Sequence, residues 1–335
     1  MEDQTTQARG WAVPGSGEAQ PTRPPPPPGA PADHGPDGAD AVTGVPGGAA
    51  PITAGAGAVP RVALRPMTAA DILDGGFAVV KARPRRIIGI AAGFVVPTQL
   101  IAAFLQRESM GGLGIADLFS EDPVLLNEQA NNNASNELMA NLLVSLIPAI
   151  ALVCVAAAVA HLVAQWMMGR DAPAGEMLGV VGRRWWALLG SFVIVKLAEG
   201  FGLLGCYVGI VFIMAFFVPV APIIGVEGGG PIEAVKRSVR LTRGRYFPTL
   251  GIALLMGLVV AGLLGNALSA GFQALALWVG FDQGWPLLAL GAIMAQVVVL
   301  PFVAAATVLL YFDLRVRTEG LDIEMTAIDV LDRVA

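Results

Sequence analysis

The sequence predicts an all-α integral membrane protein with six transmembrane helices. Hydrophobic residues make up 55% of the 335-residue chain and charged residues only 14%, a composition far from that of soluble domains. Six apolar runs are long enough to cross a hydrocarbon core of about 30 Å as helices. Basic and acidic segments alternate between these runs, as they do in the loops of a multi-pass protein.

Residues 1–60 precede the first apolar run and predict a disordered tail. They contain 12 of the 24 prolines, many Gly and Ala residues, and no periodic apolar pattern. Five of these prolines are consecutive at 24–28 and favour a polyproline II helix. The tail is therefore interpreted either as a linker or as a ligand for a proline-binding partner. Residues 61–335 form the predicted transmembrane domain.

The predicted spans lie near 87–105, 138–163, 185–201, 204–226, 249–270 and 286–312. The third and fourth share one apolar stretch of about forty residues, about twice the length that one span needs. A charge followed by two glycines at Glu199, Gly200 and Gly202 predicts the hairpin turn between them.

Short helices are predicted immediately before the odd-numbered spans. Thr68 and Asp71 have the spacing of a capping box, and apolar residues recur after them at helical intervals. Pro231 follows three glycines and suits a first helical turn. A shorter segment near 173–181 is similar. The pattern predicts three units, each an interfacial helix and a transmembrane hairpin, with an acidic loop at 106–137 added to the first.

The basic residues predict the orientation in the membrane. Seventeen Lys and Arg residues flank the spans on one side, whereas Arg107 is the one base in the loops of the other side. Because cytoplasmic loops are enriched in Lys and Arg, both termini are expected in the cytoplasm.

The segment 231–245 is the most basic part of the chain beside the membrane. Clustered cations there attract anionic lipid, so the segment predicts contacts with a lipid headgroup or phosphate. The alternative is that these bases serve only to set the orientation. The candidate headgroup contacts are Lys236, Arg237, Arg240, Arg243 and Arg245.

Lys196 and Glu199 are the ionisable residues expected within a span. They are three residues apart and so lie on neighbouring faces of one helix. Charges inside a membrane often belong to transport paths or proton relays. The alternatives are a structural pair at headgroup level, which Lys196 reaches by extending its side chain, or a misplaced boundary of the span.

The sequence predicts no catalytic, cofactor-binding or metal-binding residues. Cys154 and Cys206 both fall inside predicted spans, and His161 has no histidine near it in the sequence. No phosphate-binding glycine loop, nucleophile elbow or zinc spacing is present. Nucleic-acid binding is not expected, because the basic segment lies beside two spans.

Three segments resemble a known family: 64–77 (LRPMTAADILDGGF), 227–238 with 242–246 (EGGGPIEAVKRS and TRGRY), and 311–321 (YFDLRVRTEGL). Over about residues 61–332 the chain resembles actinobacterial membrane proteins described as having a glycerophosphoryl diester phosphodiesterase membrane domain. In that family the phosphodiesterase is a separate soluble domain fused to some relatives. The resemblance implies a six-helix membrane module in a bacterial plasma membrane and carries over no catalytic residues.

These observations predict a non-catalytic plasma-membrane module that interacts with membrane lipids or with an unknown protein partner. The first alternative is a small transporter, exporter or channel subunit that uses Lys196 and Glu199. A membrane-embedded enzyme of phospholipid metabolism is a further alternative. It would require that its candidate acids, Asp71, Asp74 and Asp313, converge in space.

Overall fold

The computed structural model describes residues 52–53, 59–62, 65–110, 123–203, 208–321 and 323. The predicted tail apart from residues 52–53 and 59–60, Cys206 and the centre of the acidic loop lie outside the described residues. The described part is helical apart from a two-residue antiparallel pairing of β1 (Ile52–Thr53) with β2 (Arg61–Val62).

The helices follow the order that hydropathy predicts. Their bounds are α1 Ala69–Ala82, α2 Pro84–Met110, α3 Pro123–Met167, α4 Ala174–Arg183, α5 Trp185–Leu203, α6 Val208–Phe217, α7 Val220–Val226, α8 Pro231–Arg243, α9 Tyr246–Leu254, a π-helical segment Leu255–Leu264, α10 Gly265–Val279 and α11 Phe281–Glu319.

The predicted all-α membrane fold is confirmed. Within the described residues five helices are long and apolar enough to cross a membrane, over Pro84–Leu105, Val144–Met167, Trp185–Gly202, Tyr246–Val279 and Gln283–Glu319. The predicted fourth span, 204–226, instead contains two shorter helices, α6 and α7. The helix is interrupted between them at Pro219, which has no backbone N–H to donate to a continuous helix.

The predicted turn at Glu199–Gly202 is wrong, because α5 continues through these residues to Leu203. One of the glycines there, Gly202, lies at a close approach of two helices. A Cβ atom on Gly209 of α6 would overlap the carbonyl oxygen of Gly202 in α5. Small residues let the backbones of neighbouring membrane helices approach in this way, and Gly200 and Gly202 are tolerated inside the helix.

The three short helices predicted before the odd-numbered spans are present as α1, α4 and α8. The Thr68 hydroxyl accepts a hydrogen bond from the Asp71 N–H at 3.2 Å, and the Asp71 carboxylate accepts one from the Thr68 N–H at 2.8 Å. Gly228 and Gly229 have φ angles of 82° and 86°, which L residues with a Cβ atom rarely adopt. They turn the chain from α7 into α8.

Much of the predicted acidic loop is helical. Helix α2 extends to Met110 and α3 begins at Pro123, well before the apolar part of α3. The stretch that follows Pro123 contains no glycine or further proline before Pro148, so little in it opposes helix extension.

The core lies around α3 and α11, the most buried of the spans. Tyr311, Phe312 and Leu309 are fully buried in α11. Helix α3 contributes an alanine-rich surface against which α7 packs, where a Cβ atom on Gly225 would overlap the Ala157 carbonyl oxygen. A Cβ atom on Gly76 of α1 would lie 3.3 Å from Ala306 of α11, which is a tight contact. These contacts fix the short helices on the ends of the spans.

Candidate functional site

The segments that carry the family resemblance meet at one end of the helix bundle. This end, here called the basic end, contains the starts of α2 and α5, the ends of α3, α7 and α11, and the short helices α1, α4 and α8. Its side chains form several hydrogen-bonded clusters, each of which joins parts of the chain that are distant in sequence.

The first cluster clamps the chain ahead of α1 onto α11. The buried Asp313 carboxylate accepts a hydrogen bond from the Met67 N–H at 2.7 Å. Arg317 donates to the Met67 carbonyl oxygen at 2.7 Å and pairs with Asp313 at 2.8 Å. Because residues four apart share a helix face, Asp313 and Arg317 bind both polar groups of one peptide residue.

The second cluster joins α7, α8 and α11. The Glu227 carboxylate accepts hydrogen bonds from Arg237 Nε at 2.9 Å and from the Tyr311 hydroxyl at 2.8 Å. Glu319 accepts from Arg237 at 2.8 Å and from Arg315 at 3.0 Å. Burial lowers the pKa of Arg237, but the hydrogen bonds that it donates to Glu227 and Glu319 outweigh this effect and raise the pKa above its ordinary value. Two carboxylates thus hold the Arg237 guanidinium.

The third cluster joins α2 to the end of α3. Asp171 accepts hydrogen bonds from Arg83 at 3.1 Å and Trp166 at 3.1 Å, and it pairs with Arg86 at 2.9 Å. Burial raises the pKa of this carboxyl, but the three donors stabilise its charged form and hold its pKa below the ordinary value. The bases at the start of α2 are thus partly neutralised within the protein.

The predicted headgroup contacts divide into two groups. Lys236, Arg240 and Arg243 occupy positions i, i+4 and i+7 of α8, which place them along one exposed stripe. Within the described residues these three side chains and Arg245 form no ion pair, in contrast to Arg237 on the adjacent face. We call Lys236, Arg240, Arg243 and Arg245 the free basic face.

A depression and exposed apolar side chains lie beside the free basic face. The depression has a volume of about 610 Å³, and Pro231, Glu233, Lys236 and Arg240 contribute to its walls. Ile232 is 60% exposed. Bases next to exposed apolar groups are typical of helices that lie in the membrane interface.

Lys196 and Glu199 form an ion pair within α5. The Lys196 ammonium donates to Glu199 Oε2 at 2.7 Å, and the Phe192 ring centroid lies 5.7 Å from the same nitrogen. Both side chains are partly exposed, at 32% and 23%. The pair sits about three helical turns after the start of α5, where Trp185 lies.

The Lys196–Glu199 pair borders a cavity among the spans. The cavity has a volume of about 310 Å³ and is surrounded by α3, α5, the α6–α7 segment, the α9–π segment and α11. Most of its wall is aliphatic or aromatic, and Ser191 and Thr307 are its other polar side chains. We call this space the membrane cavity.

Two of the three candidate acids of the enzyme hypothesis form hydrogen bonds and ion pairs within the structure. Asp71 and Asp313 accept hydrogen bonds from the N–H groups of consecutive residues, Thr68 and Met67, so these two acids lie close together. Each is also paired with an arginine. Asp74 is exposed on α1.

The described residues contain no group of three or more His, Cys, Asp or Glu side chains that could hold a metal ion. His161 Nε2 lies 3.1 Å from Glu176 Oε1, where it joins α3 to α4.

Sequence reasoning missed the acids that organise the basic end. Asp171, Glu227 and Glu319 stand among bases, and their role became visible only from their contacts. Glu227 and Glu319 did fall inside the segments that carry the resemblance. The membrane cavity was also missed, because five separate parts of the chain form it.

The fold and these clusters define a polytopic α-helical membrane protein. Comparison of the chain with protein-family models, with curated proteins and with solved structures finds no match.

Proposed function

We propose that this protein is a non-catalytic module of a bacterial plasma membrane that binds anionic phospholipid at the free basic face. In this proposal both termini are cytoplasmic, so that the basic end meets the negatively charged inner leaflet. The resemblance to actinobacterial membrane modules supports the same assignment. The proline-rich tail is then available to a cytoplasmic protein partner.

The observation that carries the proposal is the division of the bases on α8. Arg237 is held by Glu227 and Glu319, whereas the free basic face has no ion pair within the described residues. The orientation of a membrane protein depends on the number of its bases and not on their pairing, so a role in orientation alone would not require any of them to remain unpaired. Bases that remain unpaired along one stripe, beside the exposed Ile232, are suited to phosphate groups of lipids.

The expected strength follows from the number of free bases. Each Lys or Arg near an anionic membrane contributes about 1 kcal/mol at physiological ionic strength. Removing two charges should therefore cost about 2 kcal/mol, which is roughly a thirtyfold fall in relative association constant. The effect should weaken at high salt, because exposed charges are screened.

The test is a titration of phosphatidylglycerol into phosphatidylcholine nanodiscs that hold the protein, with bound lipids counted by native mass spectrometry. The variant Lys236→Gln/Arg240→Gln should bind phosphatidylglycerol more weakly by the stated factor. The variant Lys81→Gln/Arg85→Gln is the matched control, since it removes two exposed bases from another part of the basic end. An equal loss in both variants would show that the free basic face is not a site.

A small transporter, exporter or channel subunit is the second candidate. The observation in its favour is that an ion pair, Lys196–Glu199, borders a cavity within the spans. Planar-bilayer recordings and vesicle flux measurements test it with the wild type and the variant Lys196→Met/Glu199→Gln. Conductance or flux that disappears in the variant would favour transport over the lipid-binding proposal.

A further inference from the structure

The membrane cavity has the properties of a dry binding site. Its volume of about 310 Å³ is equivalent to about ten water molecules at roughly 30 Å³ each. A buried water needs two to four polar partners, and the wall offers few. An empty space of this size would deprive its walls of dispersion contacts on one side.

The polar groups in the wall already have partners. The Ser191 hydroxyl donates to the Leu188 carbonyl oxygen at 2.9 Å, and the Thr307 hydroxyl donates to the Val303 carbonyl oxygen at 2.7 Å. Each of these hydrogen bonds forms within one helix. The two hydroxyl donors therefore need no water in the cavity to satisfy them. An apolar occupant therefore matches the wall better than a polar solute does.

Part of the cavity wall is open to the surroundings at α5 and at the α9–π segment. Its partly or fully exposed wall residues include Lys196 and Glu199 on α5, and Gly257 and Ala261 on the π-helical segment. Both helices cross the membrane, so this opening faces the surrounding bilayer. The molecules present there at high concentration are phospholipids.

Lys196 supplies a polar contact at this opening. An ammonium group has three N–H donors, and Glu199 accepts one of them. Lys196 lies seven residues before the end of α5, about 10 Å along the helix, and its ammonium lies between the Phe192 ring and the Glu199 carboxylate. From there a long side chain can reach headgroup level.

We propose that the membrane cavity binds a bilayer phospholipid by inserting one of its acyl chains, while Lys196 donates to a phosphate oxygen of the same lipid. The chain fills the aliphatic interior, and the Lys196–Glu199 pair lies where the chain joins the headgroup. This site is separate from the free basic face. The two proposals can therefore fail independently.

Photocrosslinking tests the proposal in nanodiscs that contain phosphatidylethanolamine with a diazirine in the middle of one acyl chain. Met256 is the diagnostic position, because it lines the cavity and is only 5% exposed. Lipids that merely surround the protein reach outward side chains such as Leu258, which is 73% exposed. The expected result is an adduct on Met256 or its neighbours in the cavity wall.

The variant Gly257→Leu should abolish the inner adduct by filling the opening. A Cβ atom at Gly257 meets only the Met214 terminal carbon, at 3.5 Å, so the helix tolerates the change. Gly251→Leu is the matched control, because Gly251 lies on the same α9–π segment but outside the cavity, and its Cβ would meet nothing within 4 Å. Ala261→Leu, compared with Ala267→Leu, repeats the test should Gly257→Leu fail to fold.

Two further variants distinguish the contact of Lys196 with the lipid headgroup from lipid binding at the free basic face. Lys196→Met/Glu199→Gln should lower the yield of the inner adduct by roughly tenfold, since it removes a charge-assisted hydrogen bond without leaving an unpaired carboxylate. Lys236→Gln/Arg240→Gln should leave that yield unchanged. Adducts confined to outward positions, or an equal yield in Gly257→Leu and Gly251→Leu, would overturn the proposal.

Discussion

The clamp formed by Asp313 and Arg317 should determine whether α1 remains docked on α11. Asp313 is buried and accepts from the Met67 N–H, while Arg317 donates to the Met67 carbonyl oxygen. The substitution Asp313→Asn keeps the shape of the side chain but removes its charge. Arg317 then faces an amide and has lost its carboxylate partner in this cluster.

The magnitude follows from the burial of the pair. Removing one partner of a buried ion pair costs about 3–5 kcal/mol, and the lower limit applies here because the Arg317 side chain is 23% exposed. A loss of about 3 kcal/mol corresponds to roughly a hundredfold increase in local opening. Because the clamp holds the start of α1, this opening should release α1 before the spans separate.

Hydrogen exchange measured by mass spectrometry in nanodiscs reports this opening directly. Amides of Ala69–Ala82 should exchange roughly a hundredfold faster in Asp313→Asn than in the wild type. Asp74→Asn is the matched control on α1, since Asp74 is exposed and forms no ion pair within the described residues; its effect should stay within about threefold. Equal protection of α1 in the two variants would refute the clamp.

Three further predictions concern packing, pH and orientation. Gly225→Ala should lower the thermal midpoint in detergent by several degrees, because its Cβ would overlap the Ala157 carbonyl oxygen, whereas Gly200→Ala, with nothing within 4 Å, should not. Asp171 has a lowered pKa in the folded protein, so its charged form stabilises the fold above the ordinary pKa of an Asp, and this stabilisation is lost as the pH falls below that value. The thermal midpoint should therefore fall less between pH 6 and pH 3 in Asp171→Asn than in the wild type. A fluorescent protein fused after Ala335 should fluoresce and an alkaline phosphatase fused there should be inactive, and the opposite pair of results would reverse the proposed topology.

Hydropathy alone predicted the membrane fold because lipid allows few alternatives. A segment that crosses the bilayer must satisfy its backbone hydrogen bonds internally, so long apolar runs become helices. Capping chemistry was equally reliable, as the bonds between Thr68 and Asp71 show. In both cases the signal is local in sequence, and distant parts of the chain cannot change its meaning.

Glycine was ambiguous for a physical reason. Glycine permits turns, and it also permits two helix backbones to approach. The glycines after Glu199 predict a turn, but in the structure Gly202 lies within α5 and packs against Gly209 of α6. Only the position of the partner helix distinguishes these two uses.

Long-range contacts account for what sequence reasoning could not assign at the site. Arg237 and Arg240 have the same charge and are three residues apart, yet Arg237 is bound by Glu319, which is 82 residues away. The sequence shows that both are basic and beside a membrane. Whether a base is available to a ligand depends on which carboxylates the fold brings to it.

This dependence alters what the charge pattern means. Orientation depends on the number of Lys and Arg residues near the spans, and acids contribute little to it. Lipid binding depends on the charge that remains unpaired after folding. At the basic end Asp171, Glu227 and Glu319 neutralise the bases of α2, α8 and α11 that they contact, and they leave a concentrated positive charge along one stripe of α8. In the proposed function, one set of bases orients the protein during insertion, and a smaller subset that remains unpaired after folding then binds anionic lipid.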